Sequence, residues 1–337
     1  MIIKLEGNIS SASEQALVRE LNQLSIESYP VRTQVANYLI CLCKEEFDIR
    51  RIGAMPGVED LHRVSGKHKL VSSKWKVGRS SIDIGGGDFI GGNGLTVMAG
   101  PCSIESEDQI RKVVTQLVDK GVTVMRGGVY KPRTSPYSFR GLGIEGLKLF
   151  HSICRENGIK IITEVMEASQ IDEMMDYVDI FQVGARNSQN FNLLEELGQI
   201  DKPVMIKRGI SGSIDELLYS AEYVFKNGNE KVILCERGIR TFETSSRNTL
   251  DLNAVPILQE KSHLPVVVDP SHGIGIRKHV IPMALAGVAA GADGLIVEIH
   301  ERPEKAATDG QQTLDFDQFN ELMLKVRAIS QAIRTAV

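Results

Sequence analysis

Long apolar runs are missing from this 337-residue sequence, and none approaches the roughly 18 to 20 residues that a bilayer span needs. Cysteine is scarce and unordered. Its five residues, at 41, 43, 102, 154 and 235, are an odd number with no framework spacing, which excludes a disulfide scaffold and reads as reduced thiols. Neither sign of charge dominates: 39 Lys+Arg against 43 Asp+Glu leave a net charge of -4, and no long basic run supports a nucleic-acid binder working by bulk charge. The opening MIIKLEGNISS lacks a secretory apolar core with a cleavage site, so a cytoplasmic protein is expected, with neither a membrane nor a nucleic acid as partner. Glycine, by contrast, is plentiful: 31 residues, above the usual ~7%.

The first seventy residues have a rhythm of their own. Met1 to Leu5, Ile26 to Val31, Val35 to Leu42 and Val58 to Val64 read as strands, and Ala12 to Leu24 and Lys44 to Ile52 as helices. The order β-α-β-β-α-β is the ferredoxin-like pattern. Nothing in it carries chemistry; Cys41 and Cys43 are expected as half-buried thiols, without a shared metal. A ferredoxin-like domain is therefore expected over residues 1–66. Lys67 to Arg79, polar and basic with glycines at 66 and 78, is expected as a linker and hinge.

From residue 95 short β-branched runs alternate with helical segments. Leu95–Ala99, Val122–Met125, Lys160–Thr163, Ile180–Val183, Pro203–Ile206, Lys231–Leu234, Pro265–Val268 and Gly294–Val297 make eight strands, the count of a (β/α)8 TIM barrel, here expected over residues 80–337. A doubly wound open sheet would more often carry five or six strands and a first-turn nucleotide fingerprint, which is missing. Ser81–Ile84 and Asp88–Ile90 are expected as a hairpin plugging the barrel floor. Glycines fall just after the strands, where the backbone turns sharply or approaches a ligand.

In such a barrel the C-terminal strand ends build the active site. Six cations collect there, Arg126, Lys131, Arg133, Arg186, Lys207 and Arg237. A set of this size needs a polyanion, and arginine forks match phosphate and carboxylate oxygens in pairs. Two anionic substrates, or one carrying both groups, are implied. A second set, Cys102, His272, Glu298 and Asp309, mixes thiolate, imidazole and carboxylates. It lacks the close cysteine spacing of structural zinc and reads as an open catalytic site for one divalent ion, with Mn, Fe, Co, Cu and Zn all compatible. His300 competes with His272; Asp269, three residues before His272, could orient its ring and favours it.

Six motifs then stand in order: Ala99-Gly-Pro-Cys-Ser-Ile-Glu105, Met125-Arg-Gly-Gly128, Lys131-Pro-Arg-Thr-Ser-Pro-Tyr-Ser-Phe139, Gly184-Ala-Arg-Asn187, Cys235-Glu-Arg-Gly-Ile-Arg240 and Asp269-Pro-Ser-His272. Over residues 95–335 they resemble the 3-deoxy-D-arabino-heptulosonate 7-phosphate (DAHP) synthase family, in its short-chain subgroup with a leading ferredoxin-like domain. A related subgroup carries a helical chorismate mutase domain there, against which the strand-rich opening argues. The resemblance implies condensation of phosphoenolpyruvate with erythrose 4-phosphate, releasing phosphate, as the first step of the shikimate pathway to aromatic amino acids. By motif, Cys102, His272, Glu298 and Asp309 are similar to the metal ligands. Arg126, Lys131, Arg186, Lys207 and Arg237 match the phosphoenolpyruvate site, and Arg133 and Thr134 the clamp on the sugar phosphate. Lys131 is expected as the general acid, and Glu164 as the residue that positions the attacking water.

Three rivals remain at this point. 3-Deoxy-D-manno-octulosonate 8-phosphate synthase has Lys-Ala-Asn-Arg-Ser-Ser where this chain has Lys131-Pro-Arg-Thr-Ser, and proline in place of asparagine fits a shorter sugar. A Schiff-base aldolase using Lys131 or Lys207 would survive chelators. A non-catalytic sugar-phosphate sensor would have no need of a Lewis acid. The resemblance further implies a homo-oligomer, usually a tetramer. Paired small domains are expected to bind tyrosine or phenylalanine and to hold the small domain over the rim of the barrel. A chain begun near Ser80 is then expected to keep turnover and lose feedback inhibition. Cys102, taken as an exposed thiolate, is expected to be the first cysteine lost to peroxide.

Overall fold

The computed structural model describes residues 1–43, 48–76, 78–92, 94–131 and 137–334. The small domain consists of β1 (Ile2–Leu5), α1 (Ser11–Gln23), β2 (Glu27–Arg32), β3 (Asn37–Leu42), α2 (Arg50–Gly53) and β4 (Val58–His62). Its strands pair antiparallel in the order β2-β3-β1-β4, the ferredoxin-like arrangement. Part of the helix expected over 44–52 lies outside the described residues; within them it begins at Arg50. Ser10 caps α1 by accepting the Ser13 N–H at 3.1 Å. The successive apolar residues of β1 are explained by burial on both faces. Ile3 and Leu5 pack with Leu17, Leu21 and Ile52, while Ile2 belongs to the core shared with the barrel. Cys41 is buried in the small-domain core and Cys43 is exposed, so the two thiols do not share one environment.

The floor of the barrel is the hairpin β5 (Ile82–Asp83) and β6 (Phe89–Ile90). Strands β7 (Thr96–Gly100), β8 (Val124–Arg126), β9 (Lys160–Val165), β10 (Ile180–Val183), β11 (Val204–Lys207), β12 (Val232–Glu236), β13 (Val266–Val268) and β14 (Gly294–Glu298) close the parallel barrel, β14 pairing with β7. Around it run α3 (Glu107–Asp119), α4 (Gly143–Glu156), α5 (Ile171–Met174), α6 (Phe191–Leu197), α7 (Ile214–Lys226), α8 (Ala254–Lys261), α9 (Pro270–Ile274), α10 (Arg277–Ala289) and α11 (Phe316–Arg334). Met98, Val124, Ile162, Ile180, Met205, Ile233, Val267 and Ile296, one from each strand, pack inside the barrel on Ile82, Ile84 and Ile90 of the hairpin. No helix among the described residues is long and apolar enough to cross a membrane.

The expected linker is not loose. Leu70 and Val71 are fully buried, and Trp75 is nearly so. The Leu70 and Val71 N–H groups donate to the Glu222 carboxylate at 2.9 and 3.1 Å, Ser73 N–H donates to Lys261 O at 3.1 Å, and Arg79 pairs with Asp293. Four apolar residues, Leu70, Val71, Trp75 and Val77, scattered among lysines and serines make no periodic signal, so the segment reads as solvated in sequence although it is an adhesive strap in space. The small domain rests on the same surface. Tyr38 lies edge-on to Trp75 and Phe225, and Thr33 and Tyr38 both donate to Glu230. Glu230 and Ile200, which the small domain touches, both precede barrel strands, so in this structure the small domain sits at the N-terminal end of the barrel; its expected place over the rim belongs to an effector-bound state.

His263 is the polar centre of this joint. Its Nε2–H donates to Leu70 O at 2.8 Å and its Nδ1 accepts from the Ser80 hydroxyl at 2.8 Å. Burial, aided by nearby Lys76, pushes the imidazole down to about 4. A histidine depressed when folded takes up its proton only when released, so its contribution is fully present above about 6.5 and is lost as pH falls toward 4. Between pH 7 and 5 the wild type should lose about 2 kcal/mol more than His263→Gln. Urea unfolding of both proteins at the two pH values checks this; parallel losses would refute it.

Candidate active site

One rule of strand geometry builds the site. Side chains two residues apart share a face, so each inward aliphatic is followed, one layer higher, by the residue that faces the rim. Val124 is followed by Arg126, Ile162 by Glu164, Ile180 by Gln182, Met205 by Lys207, Cys235 by Arg237, Val267 by Asp269 and Ile296 by Glu298. The apolar layer becomes an ionic one within a single step. Arg126, Glu164, Gln182, Lys207 and Arg237 line a cleft of about 210 Å³, which loops complete with Lys131, Arg186, Arg240, Arg247, His272 and Asp309.

The ionic layer is partly self-neutralised. Arg126 donates to Glu298 Oε1 at 2.8 Å and to Pro101 O at 3.0 Å. Lys207 Nζ donates to Asp269 Oδ2 at 2.6 Å. Arg237 is buried and donates to Gly238 O at 3.3 Å, its one acceptor among the described residues, and burial, with Arg247 adding to it, holds its guanidinium below the usual range. Lys131 Nζ donates to Cys102 O at 3.0 Å. Neighbouring Arg208 points elsewhere, to Glu236 and Asp251 at 2.8 and 2.9 Å, and holds the loop after β12. Arg133 and Thr134 lie outside the described residues.

The second set also converges. Donor atoms of Cys102, Glu298 and Asp309 lie within 4.8 Å of one another. His272 Nε2 stands 3.4 Å from Glu298 Oε1 and 3.9 Å from Asp309 Oδ2. Its other nitrogen, Nδ1, is 2.8 Å from Asp269 Oδ2, the orienting contact read from the sequence. His300, the competitor, is buried, and its Nδ1 accepts the Arg302 N–H at 2.9 Å. Asp309 takes a left-handed φ of 51°, a conformation Asp tolerates better than most residues. Thr313 Oγ1 donates to its carbonyl at 2.9 Å, and Arg277 donates to Gly310 O at 2.6 Å.

These residues fit a divalent ion. Burial pushes the Cys102 thiol up to about 11, and burial also opposes the charge on Glu298 and Asp309, although His272 and neighbouring arginines hold both carboxyls below their usual range. A bound cation supplies the charge that thiolate formation lacks here. The expectation of an exposed Cys102 is corrected. It is 3% exposed, whereas Cys43 is exposed.

Glu164 is placed by a glycine. A Cβ at Gly184 would overlap the Glu164 carboxylate, so a larger residue just past β10 would push that side chain from its place on the cleft wall. Sequence reading missed Gln182, Arg240 and Arg247. Arg240 stood inside a quoted motif without a role, and Arg247 lies far along a loop where no periodicity marks it.

Cations converging beside a thiol, an imidazole and two carboxylates on the C-terminal rim of a (β/α)8 barrel define an enzyme that handles phosphorylated substrates. The chain belongs to the DAHP synthetase I family, which matches residues 74–335. It is 48% identical over 281 residues to the phospho-2-dehydro-3-deoxyheptonate aldolase of Thermotoga maritima, covering 83% of this chain and 82% of that protein. A 2-dehydro-3-deoxyphosphooctonate aldolase of Syntrophobacter fumaroxidans is 33% identical, over 74% of this chain and 91% of its own. Among solved structures, the Thermotoga maritima DAHP synthase superposes with a TM-score of 0.79 at 40% identity, covering 99% of this chain and 98% of that one. A truncated form of the Thermotoga maritima synthase gives 0.75 at 44% identity, covering 80% and 98%. The family is metal-dependent and uses phosphoenolpyruvate and erythrose 4-phosphate.

Proposed function

We propose that this chain condenses phosphoenolpyruvate with erythrose 4-phosphate and releases inorganic phosphate. The observation that supports this best is the single cleft in which Lys131, Arg186, Lys207 and Arg237 face the Cys102, His272, Glu298 and Asp309 cluster. Arg186, Lys207 and Arg237, from neighbouring strands, hold the enol phosphate, and Arg126 and Lys131 its carboxylate end. Arg133 and Thr134 hold the sugar phosphate. A divalent ion held by Cys102, His272, Glu298 and Asp309 supplies Lewis acidity toward the aldehyde oxygen. C3 of the enol forms the new carbon–carbon bond to the aldehyde carbon, and Lys131 Nζ gives its proton to the oxygen that becomes the hydroxyl. Water then adds to C2, Glu164 taking its proton, and phosphate leaves with cleavage of the C2–O bond. Phosphate release from phosphoenolpyruvate with erythrose 4-phosphate, compared with arabinose 5-phosphate, tests the reading; preference for the pentose would overturn it.

The cations divide their labour. Arg133→Ala should raise the KM for erythrose 4-phosphate about tenfold or more while sparing phosphoenolpyruvate, and Arg186→Ala the reverse, because a charge-assisted phosphate contact contributes ~1.5 to 3 kcal/mol. Steady-state kinetics with each substrate varied in turn checks the assignment. Equal shifts for both substrates in both variants would refute it.

The small domain is the regulatory part of this proposal. Two such domains from different copies of a cytoplasmic homo-oligomer pair and bind tyrosine or phenylalanine, the end products of the pathway. A domain with a closed core of its own and no grouping of catalytic side chains among its described residues supports a role in control.

A further inference from the structure

Two arginines outside the strand-end set stand on opposite arms of the hairpin that follows β12. The hairpin is closed by the antiparallel bridge Ile239–Thr249 and by the Thr241 and Thr249 hydroxyls at 2.7 Å. Its turn is self-contained, since Glu243 accepts the N–H groups of Thr244 and Ser245 at 2.7 Å. Its base is pinned to the rim. Arg240 N–H donates to Ile210 O at 2.7 Å, Arg247 N–H to Ile274 O at 3.1 Å, and Asn248 Nδ2 to His272 O at 2.9 Å. Gly238, at φ 87°, permits this close seating, since a Cβ there would press on Asn248 and Gly273.

With both arms fixed, the two guanidinium groups differ. Arg247 pairs with Asp309 Oδ1 at 3.3 Å. Arg240 lines the cleft beside Arg186 and Ile210, and its side chain has no hydrogen-bond or ion-pair partner among the described residues. In the closed strand order β12 lies opposite β8. Arg240 therefore faces the β10–β12 side, with Arg186, Lys207 and Arg237. On that side Lys207 is satisfied by Asp269, whereas Arg186, Arg237 and Arg240 have no carboxylate partner among the described residues. The charge grades outward: Lys207 and Arg237 are buried, and Arg186 and Arg240 are exposed at the mouth. Like charges arranged from floor to mouth need a mobile anion to offset their repulsion.

We propose that Arg240 is an outer anion-binding residue of the β10–β12 side, meeting the phosphate of phosphoenolpyruvate as it arrives and inorganic phosphate as it leaves. The choice of phosphoenolpyruvate rests on the function proposed above; the phosphate chemistry does not. The test is calorimetric titration of the full chain with inorganic phosphate and, separately, with phosphoenolpyruvate, for the unaltered protein, Arg240→Ala and Arg240→Lys. Arg240→Ala should weaken both ligands about tenfold, and Arg240→Lys, which keeps the charge without the fork, should recover most of the loss. The KM for erythrose 4-phosphate should stay unchanged. Affinities of Arg240→Ala within about twofold of the unaltered protein would overturn the proposal, and so would an alanine-like Arg240→Lys with a lowered melting temperature, the mark of a structural role. Arg240-dependent phosphate binding in a protein that releases no phosphate from the two substrates would sink the function reading and leave this site standing.

Discussion

Replacing Cys102 by Ser or His272 by Ala should lower turnover about a thousandfold or more while the fold survives, because losing a Lewis acid costs several kcal/mol of transition-state stabilisation. Neither side chain belongs to the apolar clusters inside or around the barrel, so neither substitution opens a cavity in them. Cys102 Sγ touches Asp309 Oδ2 at 3.3 Å, and His272 is aimed by Asp269 at 2.8 Å. Serine restores an oxygen where a soft thiolate stood, and alanine leaves Asp269 holding nothing. Metal content after dialysis, measured beside the melting temperature, separates loss of the ion from loss of the fold. Chelation should inactivate the unaltered protein, and Mn or Co should restore it. Full activity after exhaustive chelation, with metal confirmed near zero, would sink this assignment.

The second large effect concerns where the chain can be cut. Shortened to begin at Gly66, it should fold and turn over, and lose inhibition by tyrosine or phenylalanine. Shortened to begin at Ser80, the point the sequence alone recommends, it should be badly destabilised. That cut strips Leu70, Val71 and Trp75 from the barrel surface and leaves His263 without its Trp75 and Leu70 partners. Fully buried apolar side chains contribute ~1.5 to 3 kcal/mol each, so the loss is on the order of 5 kcal/mol, a large part of a domain's total stability. The melting temperature should fall on the order of 10 °C or more relative to the chain begun at Gly66. Equal melting temperatures would show that the strap adds nothing, and undiminished inhibition of the Gly66 form would place the effector site on the barrel.

Much of this molecule was legible in advance for one reason: the two-residue period of a strand and the one-sided chemistry of a barrel rim act locally. A run such as Lys231–Leu234 announces a strand, and the charged residues after it announce the rim. The convergence of Cys102, His272, Glu298 and Asp309 followed from their strand ends, and the orienting Asp269 from its spacing to His272. What sequence could not show was pairing across the barrel. That Arg126 answers Glu298 depends on closure of β14 onto β7, and that Lys207 answers Asp269 depends on β11 and β13 flanking β12; no local pattern marks either pair. The strap was misread because its apolar residues are too few to form a pattern, and Arg247 was overlooked because a hairpin far past its strand has no period at all.

The seat of the small domain has a mechanical consequence. It stands under β12 and β13, touching Glu230 directly and His263 through Trp75 of the strap, while the heads of the same strands carry Arg237 and Asp269. Three to five residues of strand, about 10 to 17 Å at ~3.3 Å per residue, separate foot from head. Hydrogen-bonded on both sides and packed against Met205 and Ile233, those strands are struts, stiff in compression and unable to pass on a small push as a change of shape. A ligand that leaves the domain seated therefore has no lever on the cleft. To govern turnover it must lift the domain, Tyr38 included, off Trp75 and Phe225 altogether, and its grip must outweigh that joint.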